Sequence, residues 1–161
     1  MSELGRAVER LNRSRAHPVR LKLAGRPGWG MSETLDKLRS DPYVELCIDP
    51  TDEELAALYV GALALVYPSH AEGFGLPVAE AMACGTPVIS SDLDCIRDFA
   101  LDAPLYVKPG DIDGIAAHVR RLLQDESARK RRAARGRALA RELRWSSVGD
   151  RTAALIEQVL S

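Results

Sequence analysis

Ala64-Leu65-Val66-Tyr67-Pro68-Ser69-His70-Ala71-Glu72-Gly73-Phe74-Gly75-Leu76-Pro77-Val78-Ala79-Glu80-Ala81-Met82-Ala83-Cys84-Gly85-Thr86-Pro87-Val88-Ile89-Ser90 reads as a strand, a loop, a helix and a second strand. Leu65-Val66-Tyr67 and Val88-Ile89 are short apolar runs of strand formers, bounded by proline and glycine. Between them, Pro77 suits a helix first turn, where its missing N–H costs nothing, and Gly85 suits the left-handed residue that ends a helix. The spacing predicts a helix over residues 77–84, so the unit is strand, crossover helix and parallel strand.

Outward from this unit the same alternation repeats. Helices are expected over residues 3–13, 32–38 and 52–61, the last opened by the capping-box spacing Thr51-Asp52-Glu53-Glu54. Strands are expected at 19–24 (ending at Gly25), 44–48, 64–67, 87–90 and 105–107. A short helix follows over 94–99. Asp111 caps a longer one whose Ile115, Val119, Leu122 and Leu123 share a face, and helices over 129–143 and 147–160 close the chain. The class is α/β, a single three-layer, doubly wound parallel sheet of about five strands with helices on both faces.

The chain has 161 residues, 46% of them hydrophobic and 28% charged, which fits one folded domain and excludes disorder. The longest uncharged run, Leu55 to Ala71, contains Gly61, Pro68, Ser69 and His70 and falls short of the ~20 apolar residues that span a bilayer. The first residues, Met1-Ser2-Glu3-Leu4-Gly5-Arg6, show no secretory signal pattern, so a cytoplasmic address is expected. Cys47, Cys84 and Cys95 are odd in number and lack C-x-x-C spacing, which speaks for reduced thiols rather than disulfides or structural zinc.

A net charge of -1 conceals segregation, since residues 41–115 hold fourteen acidic side chains against Arg97 and Lys108. Residues 129–144 carry eight Lys/Arg and one Glu, interleaved with Ala133, Ala134, Ala138, Leu139 and Ala140. That pattern reads as a solvated helix packed by a narrow face, with contact to an anionic membrane surface as the second reading. Nucleic acid is not expected as a partner, because the run has no aromatic residue for base stacking.

In doubly wound sheets ligands sit beyond the carboxyl ends of the strands, which here means the loop 68–75. Its Gly73-Phe74-Gly75-Leu76 turn presents backbone N–H groups at a helix N-terminus, a setting for phosphate or diphosphate. Glu72 and Glu80 bracket that turn. Carboxylates repel phosphate but accept hydrogen bonds from hydroxyls, so the pair suits a diphosphate with hydroxyl-bearing groups at both ends, a nucleotide sugar. Glu80 is then expected on the ribose and Glu72 on the sugar.

Other patterns carry less. Ser69-His70 lacks the elbow and partnered acid of a nucleophilic dyad. Gly25-x-x-Gly28-x-Gly30, with Glu45 and Asp49 downstream, has its glycines in the wrong order for a dinucleotide fingerprint. Asp92/Asp94 and Asp111/Asp113 resemble metal pairs in spelling alone, and no metal site is expected. His17 and His118 read as surface or helix-face residues.

The loop resembles the Glu-x7-Glu motif of the retaining, metal-independent glycosyltransferases of family 4. The similarity runs from Leu21-Lys22-Leu23-Ala24-Gly25 through Tyr67-Pro68-Ser69, Glu72 to Pro77, Glu80 to Ile89 and Val107-Lys108-Pro109-Gly110-Asp111 to Arg144-Trp145-Ser146. It implies the C-terminal, Rossmann-like donor-binding half of a two-domain GT-B enzyme. Glu72 is then the catalytic-region carboxylate near the sugar, Glu80 binds the ribose, and Gly73, Phe74, Gly75 and Leu76 meet the donor phosphates. Gly25 and Arg26 are added as donor-binding candidates at a strand's carboxyl end. No cofactor is implied, only a nucleotide-diphosphate-sugar substrate, and Gly28-Trp29 with Ala83-Cys84-Gly85 hints at a GDP-mannose-type donor.

The acceptor-binding N-terminal domain of such enzymes, and the Arg/Lys pair on the first strand of their donor domain, are not among these residues. Asp94-Cys95-Ile96-Arg97-Asp98 stands where the family has small residues and Pro-Glu, with Asp98 at the Glu position. The expectation is a chain that binds nucleotide weakly, transfers negligibly alone and self-associates through apolar surface meant for a partner domain. A non-catalytic nucleotide-sugar-binding module and a GT-B nucleotide-sugar epimerase are the alternatives.

Overall fold

The computed structural model describes residues 3–13, 18–26, 28 and 32–160. Its elements in order are α1 (Glu3–Asn12), β1 (Leu21–Gly25), α2 (Ser32–Arg39), β2 (Val44–Ile48), α3 (Asp52–Gly61), β3 (Leu65–Tyr67) and α4 (Leu76–Cys84). Then come β4 (Val88–Ser91), α5 (Asp94–Ala100), β5 (Leu105–Val107), α6 (Ile112–Gln124), α7 (Glu126–Ala140) and α8 (Trp145–Leu160). The α/β class with parallel strands is as expected. The five strands, however, hydrogen-bond in two groups, β1-β2 and β3-β4-β5, all pairs parallel. Between β1 and β3 lies a cleft of about 750 Å³.

Central β4 is buried throughout and alternates its side chains between two apolar clusters. Ile89 joins Ala7, Leu11, Val107, Ile115 and Leu122, beneath α1 and α6. Val88 joins Tyr59, Val78, Met82, Ile96 and Ala100, beneath α3, α4 and α5. Helices therefore cover both faces.

Several boundaries shift for local reasons. The strand expected from Val19 starts at Leu21, and the Asn12 side-chain amide holds both backbone groups of Val19 ahead of it. Its Nδ2 donates to the Val19 carbonyl at 2.9 Å and its Oδ1 accepts from the Val19 N–H at 2.8 Å. α7 starts at Glu126 rather than 129, since the Asp125 carboxylate accepts from the Ala128 N–H at 2.8 Å and caps it. The expected alanine stripe of α7 is followed in part, with Ala133 half-buried and Leu139 and Ala140 packed against the cluster beneath α3, α4 and α5. Ala134 and Ala138 are exposed, while Ala128 and Gly136 are buried. Gly136 sits so close to α4 that a Cβ there would meet Met82 Cγ at 3.1 Å. α8 starts at Trp145 rather than 147 and buries none of its side chains; Trp145, Leu155, Ile156, Val159 and Leu160 are exposed. Among the described residues no helix is long and apolar enough to cross a membrane.

The basic run is largely engaged with its own chain. Arg132 Nη1 donates to the Ala103 carbonyl at 3.0 Å, Arg135 pairs with Asp102 at 2.8 Å, and Arg137 donates to the Cys84 carbonyl at 3.0 Å. This last contact places a cation at the C-terminal, negative end of α4. Gly85, at φ 76°, makes room for it, because a Cβ would collide with the Arg137 guanidinium. Gly85→Ala is expected to cost ~1–2 kcal/mol from left-handed strain alone. Displacing Arg137 adds to this, so Arg137→Ala should cost less in the Gly85→Ala background than in the wild-type chain, measured by urea denaturation.

Candidate functional site

The loop between β3 and α4 is fixed from below and from the side. Gly75 adopts φ 95° at the N-cap of α4, and a Cβ on it would meet Ile96 Cγ1 at 3.1 Å, so the turn lies directly on the buried Ile96. Phe74 stacks on Phe99 of α5 with ring centroids 4.6 Å apart. Cys95 Sγ donates to the Glu72 carbonyl at 3.4 Å. Among the described residues, the N–H groups of Gly73, Phe74, Gly75 and Leu76 donate no hydrogen bond, and they lie at the positive end of α4.

Both glutamates are held by tyrosines that the local motif does not contain. Glu72 Oε1 accepts from Tyr67 Oη at 2.5 Å and from Ser69 Oγ at 2.6 Å, leaving Oε2 open. The Ser69 and Tyr67 hydroxyls hold the Glu72 carboxyl below the usual carboxylate range. Burial, and then the hydrogen bond to Glu72, push the Tyr67 hydroxyl up to about 12. Glu80, exposed in the first turns of α4, accepts at Oε2 from Tyr59 Oη at 3.0 Å. Tyr59 is buried in α3, its hydroxyl raised first by burial and then by Glu80, and its carbonyl accepts from Thr86 Oγ1 at 2.6 Å. Each carboxylate is thus oriented through one oxygen, and among the described residues no hydrogen-bond donor meets the other.

Ser69→Ala is expected to return the Glu72 pKa toward the ordinary ~4.3, read by carboxyl NMR titration. Because the folded-state value is depressed, the stabilisation that this hydroxyl supplies is present above the unfolded pKa. It is lost as pH falls through the folded one.

Glu80, Gly25, Arg26, Asp49 and Tyr67 line the cleft between β1 and β3, whereas Glu72 and the Gly73 to Leu76 turn are not among its walls. Tyr67 borders both, since it lines the cleft and its hydroxyl donates to Glu72. Arg26 does not stand free as a cation. It pairs with Asp49 at 2.6 Å, and Asp49 itself holds φ 49° at the end of β2.

The other sequence candidates have structural roles. Ser69 serves Glu72 rather than the exposed His70, and His118 Nε2 lies 3.2 Å from the Tyr106 carbonyl. Asp92 is clamped by Arg97, whose guanidinium lies 4.2 Å over the Tyr106 ring. Asp111 caps α6 through the Gly114 N–H, and Asp113 pairs with Arg10. Arg97 thus braces the β4–α5 turn where the family resemblance expects proline, and Asp98 is exposed. Trp29 of the Gly28-Trp29 pair, Gly30 and His17 lie outside the described residues.

Residues 1–139 match the model of the family described as glycosyl transferases group 1, and the chain belongs to that family. It is 45% identical over 101 residues to O-antigen chain mannosyltransferase B of Escherichia coli, covering 63% of this chain and 26% of that protein. To the MMP alpha-(1->4)-mannosyltransferase of Mycolicibacterium hassiacum it is 32% identical, covering 100% of this chain and 40% of that protein. Sucrose-phosphate synthase from Thermosynechococcus elongatus superposes with a TM-score of 0.80 at 25% identity, over 98% of this chain and 42% of that one. HepE from Anabaena, in complex with UDP, superposes with 0.82 at 18% identity, over 97% and 44%. The chain therefore spans less than half the length of the proteins it resembles.

Proposed function

We propose that this chain is the donor-binding domain of a retaining, metal-independent glycosyltransferase that moves a sugar, mannose by the leading reading, from a nucleotide-diphosphate sugar to an acceptor hydroxyl. The observation that carries the reading is the pair of oriented carboxylates, Glu72 and Glu80, on either side of unengaged N–H groups at the start of α4. Two similarities support it. Two of the relatives named above, from Escherichia coli and Mycolicibacterium hassiacum, are mannosyltransferases, and HepE was solved with UDP and with UDP-glucose.

In this reading the diphosphate lies against the Gly73 to Leu76 amides, where hydrogen bonds and the α4 dipole receive negative charge as the sugar leaves. Glu80 takes the ribose hydroxyls and Glu72 a sugar hydroxyl, both preorganised by tyrosine. Gly25 and Arg26 border the nucleotide side, and Arg26 contributes only by exchanging Asp49 for phosphate. The acceptor is bound by a further domain, and full transfer needs both halves closed over the donor.

A thermal-shift panel of UDP, GDP, ADP and their sugar conjugates tests this. A ligand at about ten times its Kd adds ~1.4 kcal/mol, or roughly 3–5 °C for a domain of this size. A shift confined to one base supports the donor site and identifies the nucleotide; none with any conjugate defeats the reading.

A further inference from the structure

Glu72 is fixed at both of its ends. Its carboxylate is aimed from the β3 side through Tyr67 and Ser69, and its main-chain carbonyl is held from α5 by the Cys95 thiol at 3.4 Å. Among the described residues no other donor meets that carbonyl. The adjoining turn rests on the same side of α5, because Gly75 lies over Ile96 and Phe74 stacks on Phe99. Phe99 stands one helical turn beyond Cys95 and Ile96, the spacing that sets side chains on one side of a helix. Arg97 projects from the other side, where it clamps Asp92 and lies over the Tyr106 ring, so α5 is anchored behind the face that carries the loop. Glu80, by contrast, is aimed by Tyr59 of α3. The two carboxylates therefore have separate supports, α3 behind Glu80 and α5 behind Glu72.

We infer that Cys95 is a positioning residue for the sugar end of the donor site: its thiol holds the main chain of Glu72 against α5 and so sets the direction in which the carboxylate meets a sugar hydroxyl. The inference deepens the donor-site reading and rests on it. Glutamate has several rotatable bonds between main chain and carboxylate, and a carboxylate tethered at its tip alone still leaves the main chain room to drift. With the carbonyl fixed as well, few rotamer combinations satisfy both ends, and that ordering is in place before the sugar arrives. Cysteine suits this position on two counts. The half-buried side chain packs with the cluster of Val78, Met82 and Ile96, and its S–H still reaches a carbonyl. Alanine there would pack without donating, and serine would donate from a shorter side chain.

Isothermal titration with GDP and GDP-mannose, and with UDP and UDP-glucose, on the wild-type chain, Cys95→Ala and Cys95→Ser reads the effect. Alanine and serine differ by a single hydroxyl, so the packing lost with the sulfur is common to both and their comparison isolates the donor. Cys95→Ala is expected to bind the free diphosphate much as the wild type does, and to lower the affinity of the sugar conjugate relative to it by about three- to tenfold. Cys95→Ser should recover most of that ratio. Carboxyl NMR titration follows the same link without ligand. Glu72 in Cys95→Ala should titrate closer to the ordinary carboxylate range than in the wild type, since a released main chain loosens the bonds from Ser69 and Tyr67, and Cys95→Ser should reverse the change. Identical behaviour of Cys95→Ala and Cys95→Ser in both measurements overturns the proposal and leaves the sulfur as packing. So does an equal loss for free diphosphate and conjugate in Cys95→Ala, which would tie Cys95 to the amides of the turn instead. A Glu72 carboxyl that titrates alike in all three chains overturns it as well, whatever binds. A Glu72 titration that follows the donor at position 95, in a chain that binds no conjugate, keeps the link to Glu72 and defeats the donor reading alone.

Discussion

Ile96→Ala is expected to lower the melting temperature by roughly 6–12 °C, corresponding to about 3 kcal/mol for an isoleucine truncated in a core. Ile96 is fully buried among Val78, Met82 and Ala100, where little backbone is free to collapse into the space. It is also the floor of the Gly75 turn. The variant should therefore lose part of its response to a nucleotide diphosphate beyond what lower stability explains, because the Gly73 to Leu76 amides are no longer held in one arrangement. Leu122→Ala provides the control. Leu122 is equally buried but belongs to the cluster under α1 and α6, away from the loop. Thermal melts of both variants with and without saturating UDP or GDP decide the matter. A full ligand shift in Ile96→Ala removes the floor role and leaves only the packing cost.

The part of the fold legible in the sequence is the part whose punctuation is local. Pro77 and Gly85 mark the ends of α4 through φ restriction and left-handed permissiveness, which need no knowledge of the rest of the chain. Thr51 and Glu54 likewise form their capping box among themselves, at 2.8 and 3.2 Å. What stayed hidden depends on groups far apart in sequence or serving two elements. Asp125 ends α6 and begins α7, so composition alone blurs that boundary. The burial of Gly136 in α7 follows from its meeting Met82 across 54 residues, a contact that helical periodicity does not encode. The separation of β1 from β3 is equally invisible, since each strand reads correctly on its own. At the site, Glu72, Glu80 and the glycine turn were evident from charge, spacing and the helix start. Tyr59 and Tyr67 were not. Each looks like an aromatic of an apolar run, and its hydroxyl gains meaning only once β3, α3 and α4 are packed side by side.

The two glutamates should fail differently when removed. Glu80→Ala is expected to abolish the thermal shift given by UDP or GDP and by their sugar conjugates alike, because the ribose common to all of them loses its acceptor. Glu72→Ala should leave the shift with the free diphosphate intact and remove only the increment added by the sugar. The magnitudes follow from the chemistry. A charge-assisted hydrogen bond contributes about 1.5–3 kcal/mol, so losing one weakens binding by roughly ten- to a hundredfold. Tyr59→Phe and Tyr67→Phe separate binding from orientation, since each retains the carboxylate and removes the hydroxyl that aims it. Each should reproduce part of its own glutamate's loss and none of the other's. Isothermal titration of the four variants with a nucleoside diphosphate and its sugar conjugate reads all of these differences. Equal losses for both ligands in Glu72→Ala would place Glu72 on the nucleotide instead. An undiminished response in Glu80→Ala would take the ribose away from the start of α4, and with it the orientation of the donor in which the sugar meets Glu72.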